Sequence, residues 1–256
     1  MIHPTAVIAP EAELGVGVEV GPFCVIGPEA KVGDRCKLHS HVVIDGNCTM
    51  GAENEVYPFT AIGTRSQDLK YVGEPTSVEI GDRNVFRENV TVHRGTGEVP
   101  SVIGSDNNFL AYAHVAHDSI VGDHCILSNG ATLGGHVVIG SHVIVSGLSG
   151  IHQFCRIGDH AIIGGCTKIV QDVPPYLIAD GNPAALRGIN LVGLQRRGFS
   201  AEAILALKNA YKKLFLDKRA NLARSVEEFH SKNPEPLPEV STLLDFLHET
   251  ERGFVR

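Results

Sequence analysis

A hydrophobic residue returns at every sixth position from Ile103 to Ile169, and no other feature limits the fold as tightly. Phe109, Val115, Val121, Leu127, Leu133, Ile139, Val145, Ile151, Ile157 and Ile163 fill the slots between them without one polar residue. A fixed period means a repeat architecture, so it governs every further inference about fold. Two places before the slot the residue is small in most repeats: Ala113, Ser119, Cys125, Ala131, Ser149, Cys155, Ala161 and Thr167. One bulky and one small inward position per six residues describe a narrow core, and in-out alternation describes a strand. Glycine often follows the bulky slot, as at Gly104, Gly122, Gly134, Gly140, Gly158 and Gly164, where a corner at positive φ is expected to use it. The expectation is a parallel β-helix of short strands and corners.

The same count runs from Ile2 to Ile62. Asp68 and Glu74 occupy the next two slots, and Ile80, Phe86 and Val92 restore the pattern. A charged side chain in a tight apolar prism carries a large desolvation cost. Residues 64–77 are therefore expected to leave the coil as a loop. Val92 and Ile103 are 11 apart, which predicts a second excursion near residues 95–102. Long loops on a regular scaffold usually carry function.

The rhythm is expected to stop at Asp172-Val173-Pro174-Pro175, where prolines remove backbone donors. This divides the chain into a β-helix over 1–176 and a C-terminal helical domain over 177–256. Ser200 is a candidate N-cap with Glu202 near the positive helix end, and Ile204, Leu207, Tyr211, Leu214 and Phe215 follow helical spacing. Weaker helical patterns run over 222–229 and 240–247. Such helices would cover the open end of the solenoid.

The formal charge of −7 argues against a bulk nucleic-acid binder. Of six cysteines, Cys24, Cys36, Cys48, Cys125 and Cys155 fall in the small inward slot and read as reduced core residues of a cytoplasmic protein. No apolar run is long enough to span a bilayer, and Met1-Ile2-His3-Pro4 lacks the features of a secretory signal.

Thirteen histidines are many for 256 residues. If eighteen residues make one coil, His117, Gly135 and Gln153 form a column stepped by about 4.8 Å. His136 and His152 flank it, and His114 points outward. A histidine beneath a glycine backbone suits acyl transfer: imidazole accepts a hydroxyl proton near neutral pH, and a nearby N–H stabilises the oxyanion. Two other readings stay open on these residues alone. The histidines are solvated or fill a subunit interface, or His114-x-x-His117 with a third histidine binds zinc.

Several strings carry a resemblance: Gln67-Asp68-Leu69-Lys70-Tyr71, Gly73-Glu74-Pro75-Thr76, Val92-His93-Arg94-Gly95-Thr96, His114-Val115-Ala116-His117-Asp118, Gly135-His136, His152-Gln153-Phe154-Cys155, Gln171-Asp172-Val173-Pro174-Pro175-Tyr176 and Gln195-Arg196-Arg197-Gly198-Phe199. Across essentially the whole chain the sequence resembles the UDP-N-acetylglucosamine O-acyltransferases that start lipid A synthesis. The resemblance implies a left-handed β-helix of three-hexad triangular coils. It implies transfer of an (R)-3-hydroxyacyl group from acyl carrier protein to the glucosamine 3-position of UDP-N-acetylglucosamine.

In that likeness His117 would be the general base, Asp118 would orient or charge-stabilise it, and the Gly135 N–H would meet the oxyanion. Asp68, Lys70, His114, His136, His152, Gln153, Asn190, Arg196 and Arg197 would bind substrate. Gly165 would stand where acyl length is limited. The resemblance also implies a homotrimer with the site between two prisms and no metal or cofactor, the phosphopantetheine arriving on the carrier protein. An acidic carrier would need a local basic surface, for which Lys70, Arg94, Arg196 and Arg197 are candidates.

Two departures qualify the likeness. Val192 stands where a glutamate near the nucleotide is expected, and the excursion after Thr96 is shorter than usual. Gly165 leaves room for longer acyl chains, roughly C12 to C14, although a few methylenes discriminate by only about 1–3 kcal/mol. Three rival readings remain. A UDP-3-acyl-glucosamine N-acyltransferase would normally carry an N-terminal uridine-binding domain, for which a repeat starting at Ile2 leaves no room. A γ-class-like zinc carbonic anhydrase and a non-enzymatic scaffold are the others. Nothing in the residues decides between a 3-hydroxyl and a 3-amino acceptor.

Overall fold

The computed structural model describes residues 1–97, 99–216, 222–232, 234–250 and 252–256. Short strands, most of them two residues long, stack into three parallel sheets. The first face has nine strands, from Val7–Ile8 to Lys168–Ile169, and the second has eight, from Glu13–Leu14 to Arg156–Ile157. The third has ten, beginning at Glu19–Val20. Successive strands of one face are eighteen residues apart where no loop intervenes, as in Thr132↔Gly150↔Lys168. The result is a left-handed parallel β-helix, on the order of 40 Å tall at about 4.8 Å per coil.

The slots from Ile26 to Ile169 that fall on strands line the interior, and Cys24, Cys36, Cys48, Cys125 and Cys155 are buried and unpaired. The small slot also satisfies backbone acceptors. Ser119 Oγ donates to the Gly134 carbonyl at 3.1 Å, Cys125 Sγ to Gly140 at 3.0 Å and Ser149 Oγ to Gly164 at 2.6 Å. Asn54, Asn84 and Asn107 take the same slot and form a buried ladder. Asn84 and Asn107 donate backbone N–H groups to the Asn54 and Asn84 side-chain oxygens at 2.9 and 3.0 Å.

The expected role of the glycines is corrected. None of those that follow a bulky slot in the second block has positive φ; left-handed residues instead lie three places after the slot, among them His124, His136, His142, Leu148, Phe154 and His160. The glycines answer crowding, since a Cβ at Gly122 would meet Gly140 and one at Gly140 would meet Asp159 of the next coil. Histidine and aspartate tolerate the left-handed region better than most residues. This accounts for several histidines at corners.

The coil also continues past the prolines. Val173 remains in the core and bridges to Ile157, while strand Leu177–Gly181 pairs in parallel with Ile162–Ile163 and turns back through Ala184–Ile189. Pro174 and Pro175 occupy the corner, with Pro175 against Gly158. Residues 177–189 therefore belong to the third sheet, and helices begin at Leu191, later than the sequence boundary.

Four helices follow: α1 (Leu191–Arg196), α2 (Ala201–Phe215), α3 (Leu222–Lys232) and α4 (Pro238–His248). Ser200 caps α2 by accepting the Ala203 N–H at 3.0 Å. Leu207, Leu214, Leu243 and Leu244 build a second core over Tyr176 and Leu177. The C-terminal segment is fixed to the coil through buried Asp172, which accepts from Arg156 N at 2.8 Å and Thr250 Oγ1 at 2.6 Å. Val255 enters the β-helix core itself. No helix among the described residues is long and apolar enough to cross a membrane.

Candidate functional site

The first face turns into the second at the corners after Val115, Leu133 and Ile151, and there the predicted column assembles. His136 N–H donates to the His117 carbonyl at 3.0 Å and Phe154 N–H to Gly135 at 3.1 Å, which keeps the three coils in register. The His117 imidazole lies directly beneath Gly135; any Cβ at Gly135 would overlap Cε1 and Nε2 of that ring. No acceptor among the described residues takes the Gly135 N–H. Beside this corner runs an open groove of about 410 Å³ bordered by Gly134, Gly135, Gly150, His152, Gln153 and Lys168. Because Gly150 has no side chain, the groove floor stays clear.

His117 is only 12% exposed and Asp118 9%. His117 Nδ1 lies 2.7 Å from Asp118 Oδ2. An ionised carboxylate can only accept, so Nδ1 carries the proton and Nε2, on the Gly135 side, keeps its lone pair. Asp118 sits at φ 57°, a left-handed corner that turns its carboxylate back toward the ring. Burial pushes its carboxyl up, and hydrogen bonds from Thr96 and His117 more than offset that, leaving it below the usual range. His136, 38% exposed, brings Nε2 to 3.6 Å from the same Oδ2 and stacks on Phe154 at 4.5 Å.

His114 projects from the adjacent strand, its Nδ1 2.7 Å from Thr91 Oγ1 and its ring edge-on to His93 at 4.9 Å. Burial, with a smaller push from His117, lowers its pKa. Buried His93 is lowered to about 4 by desolvation and then by His114 and His117. The metal reading on His114-x-x-His117 is not what the fold assembles. Among the described residues, those whose donor atoms converge within 4.8 Å are His117, Asp118 and His136, and their nearest contact is the hydrogen bond between the first two.

The remaining predicted residues are more dispersed. His152 and Gln153 line the groove. Asp68 and Lys70 lie in the first excursion, where Asp68 Oδ1 accepts the Lys70 N–H at 2.8 Å. Arg196 is exposed at the end of α1. Arg197 comes near His142 and His160, adding a push to the lowering that burial causes there. Asn190 departs from expectation: it is 2% exposed, caps α1 by accepting from Gly193 N at 3.0 Å and donates to the His160 carbonyl at 2.9 Å. Its side-chain amide is thus engaged at the start of a helix and against the preceding coil. Arg94 is likewise no surface cation, since its guanidinium is tucked against Gly46 and Gly63. Gly165 stacks over Gly147, and among the described residues a Cβ there would meet only that carbonyl, at 3.7 Å, so the corner is open. Val192 is exposed.

Sequence reasoning missed Thr96, Ser101 and His93. Thr96 stands in a string that carried the resemblance, but spacing contains no signal that its loop folds back on Asp118. A larger cavity, about 820 Å³, lies among α2, α3 and α4 beside Lys212, Lys213 and Phe229. It contains none of the column residues, so the smaller groove is the candidate site.

Comparison with known proteins bears on the same residues. The profile of the second domain of UDP-N-acetylglucosamine O-acyltransferases matches residues 172–255, and bacterial transferase hexapeptide repeats match 11–46 and 100–135. The chain is 45% identical to LpxA from Acinetobacter baumannii, covering 100% of this chain and 99% of that one with a TM-score of 0.95. It is 38% identical to the UDP-N-acetylglucosamine acyltransferase of Bacteroides fragilis, over 100% of both chains, with a TM-score of 0.96. The Arabidopsis UDP-N-acetylglucosamine acyltransferase is 33% identical over 100% of both chains, with a TM-score of 0.87.

Proposed function

Because the chain belongs to the UDP-N-acetylglucosamine O-acyltransferase family, we propose that the groove above His117 is where its acyl transfer takes place. The protein moves an (R)-3-hydroxyacyl group from acyl carrier protein to the glucosamine 3-position of UDP-N-acetylglucosamine, the first step of lipid A biosynthesis. The rival N-acyltransferase and carbonic anhydrase readings are not favoured.

His117 Nε2 takes the proton of the acceptor hydroxyl as its oxygen forms a bond to the thioester carbonyl carbon. Asp118 stabilises the positive imidazolium. Negative charge that gathers on the carbonyl oxygen is met by the Gly135 N–H. Collapse breaks the carbon–sulfur bond, and the phosphopantetheine thiolate leaves with the proton from Nε2. The chemistry calls for no metal or redox group. His152, Gln153 and His136 border the acceptor, Asp68 and Lys70 line the substrate groove, Arg196 and Arg197 engage the phosphates of the substrates, and Gly165 leaves room for the acyl end.

A groove open on one side needs a second wall, which a neighbouring copy in a homotrimer supplies. Light scattering should then give three times the chain mass. Cytoplasmic residence fits the reduced core cysteines and a cytoplasmic carrier protein.

The observation that carries this reading is the His117 ring beneath Gly135 with Nδ1 held by Asp118. Transfer from hydroxyacyl carrier protein to UDP-N-acetylglucosamine should fall by about 10²–10⁴-fold in His117→Ala and be unchanged by a metal chelator. A variant as active as the natural protein would remove His117 from the mechanism.

A further inference from the structure

The second excursion closes on a single residue. The Thr96 N–H donates to Asp118 Oδ1 at 2.8 Å and its hydroxyl donates to Oδ2 at 2.6 Å. At the other end of the loop, Ser101 Oγ accepts the Asp118 N–H at 2.8 Å. Gly95 permits the approach, because a Cβ there would crowd Asp118 Oδ1 and the Val99 carbonyl. The Gly95 N–H is itself anchored to the Ser77 carbonyl at 3.1 Å, in the strand that follows the first excursion.

These contacts matter because Asp118 has competing suitors. Its Oδ2 lies 2.7 Å from His117 Nδ1 and 3.6 Å from His136 Nε2, so a small rotation of the carboxylate would exchange one imidazole for the other. Thr96 occupies both oxygens at once and fixes the carboxylate plane. From this geometry, and resting on the acyl-transfer reading above, we infer that Thr96 is a positioning residue for the general base: it holds the Asp118 carboxylate so that it selects the Nδ1–H tautomer of His117. Thr96 touches neither substrate nor reacting atoms in this scheme. It acts through Asp118.

The hydroxyl bond also keeps the carboxylate an acceptor. Donation from Thr96 spreads its charge and helps hold Asp118 ionised, so that it accepts from His117 Nδ1. Loss of the hydroxyl therefore predicts a slower enzyme.

Thr96→Val keeps the backbone donor and the side-chain shape while deleting the hydroxyl. It should lower kcat roughly tenfold through misorientation of the base. KM for UDP-N-acetylglucosamine should stay within about twofold, because no substrate contact is lost. Thr96→Ser should restore the rate. A Thr96→Val enzyme with unchanged kcat overturns the inference, as does a loss that Thr96→Ser shares in full.

A second measurement needs no substrate. In ¹⁵N-histidine NMR of the intact protein, the His117 signals, assigned by their loss in His117→Gln, should show the Nδ1–H tautomer. In Thr96→Val that tautomer should lose population, and an unmoved tautomer would overturn the inference. A natural enzyme that transfers no acyl group to UDP-N-acetylglucosamine would overturn the functional reading, while the NMR result would still decide the role of Thr96.

Discussion

A proton can leave the acceptor only if one ring nitrogen is bare, and at His117 that condition comes from two neighbours of different origin. Asp118 follows it in the chain and fixes Nδ1–H; Gly135 lies one coil away and leaves Nε2 room. Gly135 has no positive φ, so alanine there strains no backbone and only displaces the ring. Gly135→Ala should therefore unfold at close to the natural urea midpoint yet lose roughly 10²-fold in kcat. An enzyme with full activity would mean the ring need not lie under that amide. At Gly165 the open corner predicts good use of C12 to C14 chains, and Gly165→Leu should shift preference to shorter ones, by about 1–3 kcal/mol at most. A natural enzyme with a sharp optimum at C10 would refute the expectation. His117 and Gly135 were legible because eighteen-residue coils convert spacing into adjacency, and the part of Asp118 was legible only through the family resemblance. Thr96 was not, since a loop outside the hexad count has no register to read.

The elements are too short to stand alone: two-residue strands gain stability only from the strands above and below them. Their interior therefore has to satisfy polar groups as well as fill space. Asn84 is fully buried; its Oδ1 accepts from Asn107 N and its Nδ2 donates to Asn54 Oδ1 at 3.0 Å and to the Gly104 carbonyl at 2.9 Å. Asn84→Ala strands these partners and should destabilise by about 1–3 kcal/mol, read as a lower urea midpoint. A midpoint equal to the natural protein would show that the ladder contributes nothing. The hexad count located these inward slots but attached no hydrogen bonds to them. Helix α2 was legible through Ser200 and its apolar spacing because capping is local. The role of Asn190 was not, because whether an asparagine caps a helix or faces solvent depends on where residue 160 lies.

At the scale of the molecule, protons couple to stability through histidines that the fold buries neutral. Desolvation first, and neighbouring positive charge second, lower His93 and His160 to about 4. In the unfolded chain they titrate near 6.5. Between those values the unfolded state binds more protons, so stability is full above pH about 6.5 and is lost as pH falls toward about 4. Urea unfolding at pH 7.5 and pH 5 should show a lower midpoint at pH 5, with a smaller difference in His93→Gln. Equal midpoints would refute the linkage.

The repeat period determined a solenoid and its inward residues, and with the eighteen-residue coil that the family resemblance implied it also stacked His117, Gly135 and Gln153, because a fixed count maps one-dimensional spacing onto neighbouring coils. Only the tertiary structure decided what the non-repeating parts touch. The loop that holds Asp118 through Thr96, the pairing of residues 177–181 with the third sheet and the burial of Asn190 each depend on contacts between segments that share no period. Such contacts are fixed by where the scaffold leaves unsatisfied donors, acceptors and apolar edges, and those exist only once the coils have stacked.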